Sequence, residues 1–225
     1  MPSWPIHLAM ANKLNKKLNL GTDFIIGNIL PDVLNGYEIE NPSSIIDSSI
    51  THYRLQQATK KYKIDTEYFI NQYKKELNND VIIGYLVHLI TDSYYNTYTH
   101  KHHIIIKDNE RLTLLKDGSI LNDETVTPWQ IKQNDFKIYG QKMINDKKIG
   151  NIINKNNTTL ENIIKIKECP LTDEDLNKAI YKINKLINSQ TKYNKENYQM
   201  FTEEELEQLF EDCYDYIIQY LNKIK

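Results

Sequence analysis

The sequence predicts an all-α fold, a single-domain helical bundle, and three observations lead to this prediction. Only 7 Gly and 6 Pro occur among 225 residues, which is too few for the many tight turns of a β-sandwich or β-barrel. Apolar residues recur at intervals of three and four positions along much of the chain. With 40% hydrophobic residues, residues 1–225 can bury one sizeable core and are treated as one domain.

The first two predicted helices carry candidate site residues. Apolar residues over 4–18 alternate with Asn and Lys at helical spacing, and His7 lies near the start of this helix. Residues 24–30, FIIGNIL, are predicted to form a short buried helix. Pro31 is expected to end or bend it, because a proline inside a helix removes a backbone hydrogen bond. Asp32 is then placed at the helix exit.

Two more helices are predicted before the middle of the chain. Residues 64–78 carry Tyr, Phe and Leu side chains on one stripe, which indicates a surface helix that packs inward. The next helix is predicted to begin near Asn79 or Asp80, both good capping residues, and to continue through Tyr98. Its side chains are apolar almost all round, so it is expected to be the central helix.

The C-terminal half is also predicted to be helical. Helices are expected over 128–145, over 173–189 and after Thr202, and the last two begin with a Thr followed by an acidic residue three positions later. Between the two halves the helical pattern breaks, and residues 112–121 are compatible with a small hairpin. Asp135 is interpreted as a structural residue.

The charge pattern and the cysteines exclude several kinds of partner and site. The net charge is −2, with 28 Lys and Arg against 30 Asp and Glu, and only Arg54 and Arg111 are arginines. Without a basic face or arm, duplex nucleic acid is not an expected partner. Cys169 and Cys213 lie far apart without CxxC or Cys/His spacing, which argues against a disulfide framework and against a thiolate metal site.

No targeting or membrane-spanning segment is predicted. The N-terminus lacks a basic region followed by a clean apolar run, and the longest apolar run, about residues 81–90, is too short to cross a bilayer. We therefore expect a soluble cytoplasmic protein without a transmembrane segment. Peripheral contact with a membrane is compatible with this expectation.

The first chemical signal is the stretch GYLVHLITDSYYN at 84–96. His88 and Asp92 are four positions apart, so their side chains lie on the same face of the central helix. An ionised Asp without compensation costs several kcal/mol in an apolar interior. A buried hydrogen-bonded His–Asp pair explains these two residues alone, and a divalent cation that both residues bind is the other explanation.

Three further residues favour the cation. His7 lies on the apolar face of the first helix, Asp32 directly follows a proline, and His52 stands in a Thr-His-Tyr step. Each of these groups is costly to bury alone, and a bound ion accounts for all of them together.

Four short stretches carry these residues in a recognisable order: HLAMANKL at 7–14, FIIGNILPD at 24–32, ITHY at 50–53 and GYLVHLITD at 84–92. In order and type they resemble the bacterial zinc-dependent phospholipase C family, whose wider superfamily includes the single-strand-specific nucleases. They match the family's N-terminal histidine, its aspartate after a buried helix, its second histidine and its helical His-x-x-x-Asp. The resemblance covers roughly the first 100 residues. It implies an all-α bundle with a metal-site half over 1–103 and a helical half over 128–225.

The resemblance implies a zinc ion that is held by four side chains: Asp32, His52, His88 and Asp92. It further implies that Asp92 bridges to a second ion, which His7 binds. Nitrogen and oxygen ligands without sulfur suit zinc at a catalytic site, and manganese or iron meets the same ligand types. We therefore expect one or two bound divalent ions.

The resemblance also implies hydrolysis of phosphoric ester bonds by a metal-activated water, with a phosphodiester or a phospholipid as substrate. Asp32 would orient this water or take its proton, which makes Asp32 the candidate catalytic residue. The chain contains no G-x-S-x-G signature of a serine nucleophile. The competing hypothesis is a non-catalytic helical module that a bound metal stabilises and that binds a partner through its surface.

The chain departs from the family pattern at two places. Trp4 follows Met-Pro-Ser, so metal ligation by an N-terminal tryptophan is not expected, and no later His-x-x-x-Glu pair occurs in the sequence. His100, His102 and His103 are interpreted as solvated residues that the helix dipole favours at a helix C-terminus, with one of them as a further metal ligand as the alternative. Asp47 is interpreted as a turn residue, with partnership to an imidazole as the alternative.

Overall fold

The computed structural model shows a mainly helical fold with one small antiparallel sheet. The described residues are 2–54, 63–108, 110–121, 125–149, 166–189 and 192–224. Buried apolar residues from both predicted halves of the chain belong to one contiguous cluster. The prediction of a mainly helical fold is therefore confirmed, with a small sheet added to it.

The helices, numbered along the chain, have these bounds: α1 Trp4–Leu18, α2 Thr22–Gly27, α3 Leu30–Val33, α4 Ser48–Thr51, α5 Thr66–Gln72, α6 Asp80–His102, α7 Pro128–Asn145, α8 Asp173–Ile187 and α9 Glu203–Ile224. The sheet consists of β1 (Ile104–Lys107) and β2 (Glu110–Thr113), and a short 3₁₀ helix covers Lys195–Asn197.

Helix α1 matches its predicted span, because both of its ends carry strong signals. Pro5 lies in the first turn, where no backbone N–H is needed. Asn19 ends the helix in the left-handed region, with a φ of 53°, and its N–H donates to the Asn15 carbonyl. The buried face of α1 contacts α2, α6, α7 and α9.

Helix α6 is the central element of the fold. The Asn79 side chain caps it by accepting a hydrogen bond from the Val81 N–H at 2.9 Å. Every residue from 81 to 92 is buried, so this stretch of α6 is enclosed on all sides. The helix extends to His102, one turn beyond the predicted end at Tyr98.

The segment after α1 differs from its prediction in one respect. α2 ends at Gly27, and Pro31 lies in the first turn of the short helix α3 instead of ending the helix before it. A proline is tolerated there because the first turn of a helix does not need that N–H. Asp32 therefore lies inside α3, where its own N–H donates to the Ile29 carbonyl at 3.1 Å.

Helix α5 is shorter than predicted and covers Thr66–Gln72 instead of 64–78. Asp65 determines where it begins, because the carboxylate accepts a hydrogen bond from the Tyr68 N–H at 2.9 Å and caps the first turn. The helix keeps its predicted role, since Phe69 is fully buried.

The hairpin predicted over 112–121 is present as a narrow turn and not as a regular ladder. Leu114 and Ile120 form an isolated antiparallel bridge across it. Gly118 has a φ of 80°, a value that glycine adopts without strain. The regular two-stranded sheet, β1 with β2, lies earlier in the chain.

Two glycines bring α2 and α6 into backbone contact. A Cβ atom on Gly84 would lie 2.1 Å from the Phe24 carbonyl oxygen, and one on Gly27 would lie 2.2 Å from the Val81 carbonyl oxygen. Only glycine fits at such a close approach. Asn28, directly after α2, is thereby held against α6, and its side-chain amide donates to the Gly84 carbonyl at 3.2 Å.

The C-terminal helices pack on the N-terminal ones. α7 contacts α1, α8 contacts α3, and α9 contacts α1 and α6. The predicted capping boxes are confirmed: Thr172 and Asp175 cap α8 reciprocally, and Thr202 and Glu205 do the same for α9.

Within the residues described above, no helix has both the length and the apolar character that crossing a membrane requires.

Asp135 holds the segment that leads into α9. Its carboxylate accepts hydrogen bonds from three successive backbone N–H groups: Gln199 at 3.0 Å, Met200 at 2.7 Å and Phe201 at 3.0 Å.

We expect Asp135→Ala to lower the free energy of unfolding by about 3 kcal/mol, because these donors lose their acceptor. Urea unfolding measures the loss. Trp129→Ala is the control on the same helix, because this side chain is 63% exposed. It should change the free energy of unfolding by less than about 0.5 kcal/mol. Equal losses in the two variants would contradict this role for Asp135.

Candidate metal centre

Five side chains named from the sequence lie together in the core, although four separate segments supply them. His7 comes from α1, Asp32 from α3, and His52 directly follows α4. His88 and Asp92 come from neighbouring turns of α6. Asp32 is 3% exposed and the other four residues are fully buried. An apolar core tolerates so many ionisable groups only when they are paired or bind an ion.

The orientation of His88 is set by the backbone that follows α2. Its Nδ1 lies 2.7 Å from the Asn28 carbonyl oxygen, and a carbonyl only accepts, so Nδ1 carries the proton. Nε2 then presents a lone pair toward His52, Asp32 and Asp92. Burial, together with the nearby His7, lowers the pKa of His88 to about 3, so the ring is neutral at neutral pH.

His52 is oriented in the same manner by α4. Its Nδ1 lies 3.0 Å from the Ser48 carbonyl oxygen and 2.9 Å from the Thr51 hydroxyl. The proton on Nδ1 donates to the carbonyl, and Nε2 again presents a lone pair. α4 itself begins at Asp47, whose carboxylate accepts from the Ser49 N–H at 2.7 Å, as predicted for a turn residue.

The Nε2 atoms of His52 and His88 face each other in a way that suits a shared cation. His52 Nε2 and His88 Nε2 are 3.2 Å apart. Because both Nδ1 atoms donate to backbone carbonyls, a neutral ring has no proton on Nε2 to offer the other ring. Two lone pairs at this distance repel each other. A divalent ion could accept both lone pairs and would remove the repulsion.

The Asp92 carboxylate faces histidines with both of its oxygens. Oδ1 lies 3.2 Å from His7 Nε2, and Oδ2 lies 3.3 Å from His52 Nε2 and 3.9 Å from His88 Nε2. These contacts lack hydrogen-bond alignment: among the described residues, both Asp92 oxygens and both His7 ring nitrogens have no hydrogen-bond partner. A buried carboxylate without a donor is rare in native proteins, so Asp92 is a suitable ligand for a metal ion.

Both carboxylates are ionised at neutral pH. Burial raises the pKa of Asp92, but the contact with His7 and the interaction with His88 outweigh burial and hold the pKa well below its ordinary value. Burial likewise raises the pKa of Asp32, and His88 and His52 together lower it below its ordinary value. Asp32 Oδ1 lies 3.4 Å from His52 Nε2, and Oδ2 lies 3.8 Å from His88 Nε2. Both side chains can therefore act as anionic ligands.

Two overlapping sets of ligand atoms have the spacing of a metal site. Within each set the atoms lie within 4.8 Å of one another, and the sets are His7, His88 and Asp92, and Asp32, His52 and His88. Imidazole nitrogen and carboxylate oxygen fit zinc, and also manganese or iron. His88 belongs to both sets but has only Nε2 free to bind a metal. An ion that binds His88 in one set therefore leaves the other set with two of its three ligands.

Two charged residues beside these ligands were not expected from the sequence. Burial, followed by the charge of Asp32, raises the pKa of Glu38. The Lys182 ammonium donates to Glu38 Oε2 at 2.7 Å and lies over the Trp4 ring, 5.3 Å from its centre. Glu38 stands in an irregular loop and Lys182 on α8, so no spacing in the sequence relates the two.

One of the three histidines near the end of α6 differs from its prediction. His100 and His102 are exposed, as predicted. His103 is only 5% exposed, and its Nε2 lies 2.8 Å from the Glu205 carboxylate while Nδ1 lies 3.2 Å from the Leu114 carbonyl oxygen. The prediction that His103 is solvated is wrong, because the longer α6 carries it against the first turn of α9. None of the three belongs to either ligand set.

The five side chains are enclosed by the rest of the fold. The described surface includes three cavities of about 560, 450 and 330 Å³, and none of the five residues lines any of them. Asp32 is the one member of the group with measurable exposure.

No protein-family model, no curated protein and no solved structure matches this chain. The geometry of the five side chains and the resemblance in four short sequence stretches are therefore the grounds for a functional proposal.

Proposed function

We propose that the protein is a metal-dependent hydrolase of phosphoric ester bonds, similar to the phospholipases C, with zinc as its ion and a phosphodiester or phospholipid as its substrate. The observation that carries the proposal is the approach of the Nε2 atoms of His52 and His88, which face each other 3.2 Å apart. Backbone carbonyls hold both rings in this orientation. The orientation of both rings therefore supports a shared cation.

The first ion would be held by the four residues that the resemblance names: Asp32, His52, His88 and Asp92. A second ion would be held by His7 and by the other oxygen of Asp92. In support, the two Asp92 oxygens face different histidines. The rings of His7 and His88 are also stacked in parallel, with 3.9 Å between centres and 8° between planes. Because the lone pair of an imidazole lies in the plane of its ring, stacked rings direct their lone pairs to separate positions.

A bound divalent ion would lower the pKa of a water from about 15.7 to about 7 and neutralise charge that builds on the phosphoryl oxygens. Asp32 is suited to orient this water or to accept its proton, because Asp32 is ionised and is the most exposed of the five residues. The Asn35 amide donates to Asp32 Oδ1 at 3.2 Å. We assign the proton transfer to the other oxygen, Oδ2.

A non-catalytic helical module stabilised by metal is the second candidate, and the burial of the ligands favours it. Four of the five side chains are fully buried, and none lines the three cavities described above. Structural metal sites are closed, whereas catalytic ones keep a position for water or substrate. In this alternative the ion holds the fold together and the surface binds a partner.

Turnover assays on metal-loaded protein separate the two candidates. Protein purified without a His-tag is loaded with zinc and tested on bis-para-nitrophenyl phosphate, on phosphatidylcholine vesicles and on a dinucleotide. We expect turnover of at least one substrate that a chelator abolishes and added zinc restores. Tightly bound zinc without any turnover would overturn the hydrolase in favour of the structural module. Failure to bind any divalent ion would overturn both candidates.

Asp32→Asn is expected to lower kcat about 100-fold in protein that carries saturating zinc, because an amide cannot accept the proton. Asp47→Asn is the matched control, since it makes the same change at a carboxylate outside the two ligand sets, and Asn caps a helix as well as Asp does. The control should keep its full kcat. An unchanged kcat in Asp32→Asn at equal metal content would contradict the role given to Asp32.

A further inference from the structure

The hairpin formed by β1 and β2 exposes apolar side chains on both of its faces. Ile105 is 40% exposed and Ile106 is 69% exposed. Successive residues of a strand point to opposite faces, so both faces of β1 are at least partly open to solvent at this point. Ile120, which is 38% exposed, adds a third apolar side chain beyond β2. A two-stranded hairpin is marginally stable in water by itself, so a contact that covers these side chains would stabilise it.

Among the described residues, β1 is an edge strand that pairs on one side only. Its sheet partner among the described residues is β2, whereas the Thr113 carbonyl at the end of β2 accepts a hydrogen bond from the Leu121 N–H at 2.9 Å. Edge strands of soluble proteins commonly carry charges or proline that prevent further pairing. β1 has the sequence IIIK, in which Lys107 is the one charged residue and stands at the end. In the described part of the chain, its outer edge therefore lacks the usual protection.

We propose that β1 pairs antiparallel with β1 of a second copy of this chain, about a twofold axis, so that two hairpins form one four-stranded sheet. With the axis between Ile105 and Ile106, each Ile105 faces Ile106 of the other copy, and each Lys107 faces Ile104 of the other copy. Apolar residues meet at the centre, and the two lysines lie at opposite ends, so no like charges oppose each other. The pairing also gives hydrogen-bond partners to the outer backbone groups of β1. It does not depend on the metal centre.

Sedimentation velocity of the full chain over a range of concentrations tests this proposal. We expect the mass of two chains at about 100 µM, a concentration at which a contact of micromolar affinity is mostly formed. Ile106→Lys places a charge on the edge and should weaken the association at least about tenfold. Tyr181→Lys, at a 71% exposed side chain on α8, is the matched control and should leave it unchanged. A wild-type mass of one chain throughout, or equal association in Ile106→Lys, would overturn the proposal.

Hydrogen exchange locates the contact and keeps the test decisive if Ile106→Lys fails to fold. In the wild type, amides of residues 104–107 should exchange more slowly at high than at low concentration. Ile106→Thr retains a β-branched side chain and should reduce this difference. Concentration-dependent protection elsewhere, with none in β1, would overturn the proposal. The proposal would also be overturned if the wild type had the mass of one chain and sedimented with anionic vesicles, and if Ile106→Thr no longer sedimented with them. That result would assign the hairpin to a membrane surface.

Discussion

Replacing Asp92 with Asn is expected to lower the bound divalent metal to below half of the wild-type content. The two carboxylate oxygens of Asp92 face His7 on one side and His52 on the other. An amide is uncharged and offers one oxygen, so the ion loses both a ligand and the charge that pairs with it. His88→Ala should have an effect of similar size, because His88 Nε2 belongs to both ligand sets. Elemental analysis of protein purified without a His-tag measures the metal.

Two matched variants show whether the loss is specific to the site. Asp47→Asn changes a carboxylate that caps α4, and His102→Ala removes an exposed histidine from the same helix as His88. Both are expected to keep the wild-type metal content. Full metal content in Asp92→Asn and in His88→Ala would refute the idea that these residues share an ion.

Gly84→Ala is expected to lower the free energy of unfolding by about 3 kcal/mol, the upper end of the usual effect of overpacking. The added methyl group would lie 2.1 Å from the Phe24 carbonyl oxygen, so α2 must move away from α6. The Asn28 carbonyl moves with α2, and the hydrogen bond that orients His88 is weakened. Bound metal should therefore fall together with stability. Urea unfolding and elemental analysis of the same preparation measure the two effects.

Gly118→Ala is the control for this change. A Cβ atom at Gly118 meets open space, and the φ of 80° is the one source of strain, which costs about 1 kcal/mol. Its metal content should equal that of the wild type. If Gly84→Ala unfolded at the same urea concentration as the wild type, the backbone contact between α2 and α6 would not exist in solution.

The central helix and its His–Asp pair could be predicted from local signals alone. The Asn79 cap, the apolar run and the four-residue spacing of His88 and Asp92 all lie within one stretch of chain. The approach of His7 and His52 to this pair needed the resemblance as well. Residues on separate elements have no spacing that relates them, and only the order of the four stretches connected them.

The parts that could not be predicted depend on groups that carry no sequence signal. His52 and His88 are oriented by the carbonyls of Ser48 and Asn28, and every residue has a carbonyl. Pro31 can end one helix or begin the next, and both outcomes are compatible with the sequence. His103 is buried because α9 packs against the end of α6, a contact between segments about a hundred positions apart.

The ligands of the proposed ion differ in their separation along the chain. His88 and Asp92 are in place as soon as α6 forms, whereas His7, Asp32 and His52 reach it only after long loops have closed. Closing a loop between distant segments costs conformational entropy, and contacts between residues distant in sequence slow folding. Capture of the proposed ion is therefore expected late in folding, after the helices have formed.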